Sequence, residues 1–232
     1  GEADMSQPHD GGPDFDQIRA ALGTLGLIPR GAFLPQVEDG VPTRRGGGTA
    51  ATVILVGNAG PDLWQHFARH TAGPHPLDEW CRRMLTPLAQ SLGADILFPF
   101  DGPPYPPFLR WAQRAEGLSP SPIGPMIHPQ FGLWHAYRGA LLFGHAMALP
   151  PPLSVNPCDD CADKPCLTSC PVAAFSDGAY DVPGCVGHVR QPAGRDCREQ
   201  GCRARRACPI GQDYHYNSSQ AGFHMAAFLD NN

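Results

Sequence analysis

The alternation of apolar and polar positions changes character along the chain. Residues 14–27, DFDQIRAALGTLGL, set Ile18, Ala21, Leu22 and Leu25 at helical spacing behind Asp14 and Asp16, acids suited to a helix start. AATVILVG (50–57) is a short β-branched run and predicts a buried strand. GPDLWQHFARHTA (60–72) predicts the helix that follows it. The strongest helical pattern is PLDEWCRRMLTPLAQSLGA (76–94), with Pro and acids at its start, Gly93 at its end, and Trp80, Met84, Leu88 and Leu92 on one face. Pro87 inside it predicts a kink. DILFPF (95–100) predicts a second strand, PPYPPFLRWAQRAEGL (103–118) turns helical after its prolines, and GLWHAYRGALLFG (132–144) reads as a strand or a bent pair. Pro150, Pro151 and Pro152 mark a break. Beyond them apolar periodicity gives way to cysteine until SQAGFHMAAFLD (219–230), a short apolar helix expected to pack back on the body.

The shift predicts four parts: a flexible tail (1–12), an α+β or α/β portion (13–150), a small metal-stabilised module (151–216) and a closing helix (217–232). The 232 residues are 17% charged with a net charge of −5, so no basic face for nucleic acid is expected. No apolar run is long enough to span a bilayer. The opening GEADMSQPHDGGPDFDQ is polar and acidic rather than a secretory signal, which predicts a cytoplasmic, reducing setting. Gly and Pro number 27 each, which predicts long irregular connections.

Eight of nine cysteines fall between 158 and 208. Cys81 stands alone beside Trp80 on the predicted helix and reads as a buried thiol. The first group is Cys158-x2-Cys161-x4-Cys166-x3-Cys170-Pro171. The second is Cys185-x11-Cys197-x4-Cys202-x5-Cys208-Pro209. The bacterial ferredoxin run is C-x2-C-x2-C-x3-C-P, whose last cysteine ligates the other cluster. The first group fits it with two residues inserted. Eight thiolates suit two [4Fe–4S] clusters. By the crossed pattern, Cys158, Cys161 and Cys166 pair with Cys208, while Cys185, Cys197 and Cys202 pair with Cys170. Zinc, the alternative, favours two short C-x2-4-C pairs and leaves the Cys-Pro endings unexplained. Arg203, Arg205 and Arg206 lie among these cysteines, either as charge compensation or as a docking patch for an acidic donor. His66 and His70, four apart without a third ligand, read as surface. His215 and His224 follow the last cysteine, where they can stand between clusters and pocket.

No G-x-G-x-x-G, P-loop or G-x-S-x-G names a destination for electrons. IHPQFGLWHAYRGALLF (127–143), however, resembles the His-Pro-x-Phe-Gly-Gly-Trp-x-Ala-x-Arg-Gly stretch of the cobalamin-processing CblC family, through His128, Pro129, Phe131, Gly132, Trp134, Ala136, Arg138 and Gly139. Leu133 replaces the family's second glycine. The resemblance implies a flavin-nitroreductase-like α+β cobalamin-binding domain over about residues 15–150. The cysteine half is similar in layout to epoxyqueuosine reductases and reductive dehalogenases, which join such a domain to a bacterial-ferredoxin-like two-cluster module. Together they imply electrons passing from a ferredoxin or flavodoxin through two [4Fe–4S] clusters to cobalamin, to reduce it or remove its upper ligand. Alternatives are a cobalamin-dependent reductase of an organic substrate, a non-catalytic electron carrier or trafficking protein, and flavin in place of cobalamin. His128, Phe131, Gly132, Trp134 and Arg138 are the implied cofactor contacts, His128 toward cobalt or the nucleotide tail and Arg138 toward a phosphate, carboxylate or flavin.

Overall fold

The computed structural model describes residues 11–176 and 178–232. The predicted tail therefore lies almost wholly outside the described residues, as does His9. The chain opens with α1 (Phe15–Gly23), whose Asp14 and Gln17 form a reciprocal capping box. It continues through β1 (Ile28–Phe33), β2 (Thr52–Ala59), α2 (Asp62–Phe67), α3 (Pro76–Ser91), β3 (Asp95–Leu97) and α4 (Phe108–Glu116). A small hairpin follows, of β4 (Ser119–Pro120) and β5 (Met126–Ile127), and then the long strand β6 (His135–Phe143). Four strands form one antiparallel sheet in the order β1-β2-β6-β3.

Alternation along β2 and β6 supplies two cores. Ile54, Val56, Leu141 and Phe143 face α1, α2 and α3. Val53, Leu55, Ala140 and Leu142 face Trp111, Ala112 and Ala115 of α4. β2 is buried on both sides, as its continuous apolar run predicts. β1 was hidden from pattern reading: IPRGAF holds a proline, an arginine and a glycine. It lies at the sheet's edge, where Pro29 is tolerated, and its register slips by one residue between Pro29 and Ala32.

Three expectations change. α3 runs on through Pro87, and its buried side centres on Leu77, Trp80, Cys81, Leu85 and Ala89; Met84 and Leu88 flank it. DILFPF gives only a three-residue strand, because Pro99 cannot extend a ladder and the Asp101 carboxylate accepts from the Phe98 amide at 2.8 Å, turning the chain. GLWHAYRGALLFG is one strand, not a bent pair, and is preceded by a tight turn.

The cysteine-rich segment holds α5 (Pro165–Thr168), the hairpin strands β7 (Phe175–Ser176) and β8 (Ala179–Tyr180), α6 (Val182–Arg190), α7 (Arg195–Gln200) and α8 (Arg203–Arg206). It ends in α9 (Ser218–Asp230), capped by the Asn217 side chain. Phe223 of α9 packs on Trp64 and Phe67 of α2, returning the chain to the first half. The break at 150–152 does not separate two cores. Ile123, Ile127 and Leu133 share one apolar cluster with Cys166, Phe175, Ala204 and Cys208.

Two glycines set the closest approach between the halves. Gly132 has φ 59 and Gly211 has φ 75, a region costly for any side chain. A Cβ on Gly132 would strike the Ile210 carbonyl, and one on Gly211 the Phe131 carbonyl. Gly132→Ala and Gly211→Ala are each expected to lower stability by about 2 kcal/mol or more. Gly187→Ala, whose added carbon meets nothing inside a helix, is expected to be neutral or to stabilise by up to about 1 kcal/mol. Anaerobic urea titrations of the three variants check this; equal midpoints for all three would contradict the seam.

Candidate functional site

The eight clustered cysteines line two cavities. One, of about 170 Å³, has Cys158, Cys161, Cys166 and Cys208 in its wall. The other, of about 450 Å³, has Cys170, Cys185, Cys197 and Cys202. The stretch 121–134 runs between them: Ile127 and Leu133 border the smaller cavity, Ile123, Pro125 and Trp134 the larger. All eight side chains are free thiols, and Cys166, Cys197 and Cys208 are buried.

Burial pushes the thiols of Cys158, Cys166, Cys185, Cys202 and Cys208 up, and neighbouring cysteines push further in the same direction. Amides already point at the sulfurs. The Ala174 N–H donates to Cys170 Sγ at 3.3 Å. The amides of Ala204 and Arg205 reach Cys202, and that of Ile210 reaches Cys208. The Tyr180 hydroxyl bonds Cys185. Lys164, the sequence's sole lysine, adopts φ 39 and donates to the carbonyls of Cys158 (3.3 Å) and Cys161 (3.1 Å). Among the described residues no three His, Cys, Asp or Glu side chains converge closely enough to hold one metal ion.

The sequence-expected cofactor contacts are placed differently from expectation. His128 is buried with both ring nitrogens engaged. Nδ1 accepts from the amides of Gln130 (3.0 Å) and Phe131 (3.1 Å), so Nε2 carries the proton and faces Glu116 Oε2 at 3.2 Å. Phe131 stacks on the same ring, centroids 4.0 Å apart. Gly132 is filled against Ile210. His128, Phe131 and Gly132 thus build the seam and border neither cysteine cavity. Trp134 does border the larger cavity. Arg138 is the extra residue of a β-bulge in β6, where Val56 opposes Gly139 and Gly57 opposes Tyr137. The bulge aims Arg138 at Asn58, whose Oδ1 accepts from its Nε at 2.9 Å.

Residues outside that set also shape the site. Arg205 lies over Trp134 (4.4 Å) and Tyr216 (4.8 Å) and donates from Nε and Nη2 to the Leu133 carbonyl at 3.0 and 2.6 Å. It staples the cysteine segment to the strand approach. Arg203 and Arg206 are both paired with Asp196. Both pairs lie at the surface, with the Arg203 side chain half exposed. His215 packs at a tilt against Trp134, ring centroids 4.3 Å apart, and His224 borders the larger cavity. His66 and His70 are exposed. Burial pushes the Cys81 thiol up to about 11, the behaviour of an unreactive core residue.

Below the seam lies a buried charged network. Arg30, 2% exposed, pairs with Glu116 at 2.9 Å and donates to His135 Nδ1 at 3.0 Å and the Tyr137 hydroxyl at 3.3 Å. Burial alone would raise Glu116, but the His128 and Arg30 bonds outweigh it and hold the carboxyl below its usual range. His135 Nε2 donates to the Met126 carbonyl at 2.9 Å; burial, then the Arg30 charge, push its pKa down to about 2. His135 and Tyr137 also border an open groove of about 700 Å³ with Phe108, Leu109, Arg110 and Met126. Pro125 borders both this groove and the larger cysteine cavity.

No protein-family model and no curated protein matches the chain. Solved structures do resemble it. An epoxyqueuosine reductase holding an epoxyqueuosine-modified tRNA-Tyr stem loop aligns at TM-score 0.51 and 12% identity, over 91% of this chain and 69% of that one. The B12-trafficking protein CblC of C. elegans aligns at TM-score 0.48 and 13% identity, over 93% and 94%. The epoxyqueuosine reductase of Streptococcus thermophilus aligns at 0.45 and 15%, over 84% of this chain and 65% of that one. The chain thus spans just under two thirds of the Streptococcus enzyme. At such identity the likeness is one of fold: a mixed helix-and-sheet structure resembling that of epoxyqueuosine reductase. No helix among the described residues is long and apolar enough to cross a membrane.

The buried ion pair predicts a stability loss. Glu116→Gln strands the Arg30 charge and is expected to cost about 3–5 kcal/mol in chemical denaturation. A second expectation concerns acid. His135 (about 2) and His224 (about 3) are neutral when folded and take protons when unfolded, from an ordinary value of 6.5. Their contribution is complete above about pH 6.5 and is lost as pH falls below it. Denaturation midpoints from pH 7.5 to 5 should fall with decreasing pH, and less steeply in His135→Gln; an unchanged slope in that variant would contradict the assignment.

Proposed function

We propose that the protein is an iron–sulfur oxidoreductase that holds two [4Fe–4S] clusters and passes electrons to a cobalamin. The observation that carries the reading is the division of eight cysteines into two rings of four, each around its own void, with amides directed at the sulfurs. Such clusters supply one-electron transfer at potentials set by hydrogen bonds, charge and exposure. Cys158, Cys161, Cys166 and Cys208 would hold one and Cys170, Cys185, Cys197 and Cys202 the other, as in a bacterial-ferredoxin-like module. An external ferredoxin or flavodoxin is the proposed electron source.

The open groove suits a large, mostly apolar macrocycle with a few polar contacts. Phe108, Leu109 and Met126 offer apolar wall, and Arg110 a positive group. Its shared edge at Pro125 makes the cluster of the larger cavity the nearer donor. In this proposal Trp134 acts in the wall of the larger cysteine cavity and Arg138 by holding Asn58. His128, Phe131 and Gly132 act by fixing that layer in place. The same layout serves reduction of cobalamin or removal of its upper ligand.

Iron analysis after anaerobic reconstitution tests the reading, with about eight irons per chain expected. The double variant Cys170→Ala/Cys197→Ala should keep about four, because both belong to one ring. Cys170→Ala/Cys166→Ala should fall close to none. The reverse order would overturn the crossed arrangement, and zinc in place of iron would overturn the clusters. Added hydroxocobalamin should show a shifted absorption spectrum that Leu109→Glu weakens; an unshifted spectrum would remove cobalamin from the proposal.

A further inference from the structure

The two cysteine cavities differ in size although each presents the same four-thiol wall. One measures about 450 Å³ and the other about 170 Å³, so the larger exceeds the smaller by about 280 Å³ and keeps that much more space when equal clusters are set in both. This comparison rests on the cluster reading above. The remaining wall is formed by Trp134, His188, Tyr216, His224, Met225 and Phe228. These are mostly aromatic or apolar side chains, and such a space favours an organic guest over water. It is far too small for a corrin.

One donor and one ring nitrogen in that wall lack partners. Trp134 is 1% exposed, and its Nε1–H bonds nothing among the described residues; Nε2 of the half-buried His188 is likewise unpartnered. Unpaired buried donors cost stability and call for an acceptor. The way in is apolar as well. Val172 (40% exposed) and Tyr180 (41%) both border this cavity, and they are among the few large apolar side chains left in solvent.

The geometry points to a second binding site here, beside the Cys170–Cys185–Cys197–Cys202 ring, for a small, planar, largely apolar molecule carrying hydrogen-bond acceptors. Trp134 Nε1 and His188 Nε2 donate to it, and Tyr216 and Phe228 flank its faces. The site is separate from the groove that would take cobalamin, with Pro125 between them. A guest of this kind lies in contact range of the cluster itself.

Quinoxaline, a neutral flat bicycle with two ring-nitrogen acceptors, is the probe. Anaerobic calorimetry on the cluster-loaded full chain should show one site with a dissociation constant below about 1 mM, within reach of a ligand of about ten heavy atoms. Trp134→Phe, which keeps the ring but not the donor, should weaken binding about tenfold. Met225→Trp should fill the space and abolish binding with iron content unchanged; if that variant loses iron, Trp134→Phe alone carries the test. Leu109→Glu, in the groove, should leave quinoxaline binding as it was. The inference is overturned by no binding at 1 mM in fully loaded protein, by binding indifferent to Trp134→Phe, or by binding lost in Leu109→Glu. Iron content in the same samples reports on the cluster reading separately, so the two can fail independently.

Discussion

The structure depends on one backbone-to-backbone contact. The chain after Cys208 lies directly on the chain at Phe131–Gly132, and only because Gly132 and Gly211 carry no side chains. The contact fixes Cys208 against the first half and brings it round to Cys158, Cys161 and Cys166. The carbonyl of the next residue, Leu133, accepts two bonds from Arg205, whose guanidinium then covers Trp134 and Tyr216. One short seam therefore sets the smaller cavity on one side and the larger on the other. On the sheet side, the turn that presents Gly132 is held by His128 and, through it, by Glu116 and Arg30.

That network explains a feature of the sheet. β1 and β6 both slip by one residue, near Arg30 and at Arg138, on either side of Gly57 of β2. A Cβ on Gly57 would strike the Ala136 carbonyl, so the strands are packed as closely there as glycine permits. The bulges send the two arginines different ways. Arg30 goes toward Glu116 of α4, and Arg138 toward Asn58, itself bonded to Tyr216. A buried guanidinium is tolerated only when its partners are in place, so the bulges and the charged network specify one another.

Much of this could be read in the sequence where the signal is periodic or local. β2, α3 and α9 announce themselves by apolar runs and caps, and the Cys-Pro endings suggested which cysteines share a ring. Non-local signals were harder to read. β1 was missed because Pro29 and Gly31 break its pattern, and an edge position with a bulge is what allows them. HPQFGLW was read as a cofactor wall because its residue types suit one. In the fold the His128 nitrogens are satisfied within the turn and by Glu116, Gly132 is a close-approach glycine, and Trp134 borders the larger cavity. The partner of each lies some distance along the chain, Glu116 twelve residues before His128 and Ile210 seventy-eight after Gly132. Arg205 was hidden inside a charge run whose other members pair locally.

The return of α9 to α2 has a consequence for how the thiols come together. With β6 fixed in the sheet at one end and Phe223 docked against Trp64 and Phe67 at the other, the cysteine segment is a loop tethered at both ends. Closing a long loop costs entropy that rises with the logarithm of its length. Here that cost is borne by ordinary apolar packing between helices. The thiols are held at a high effective concentration for one another by the protein itself. Their spacing is thus set by the body of the fold.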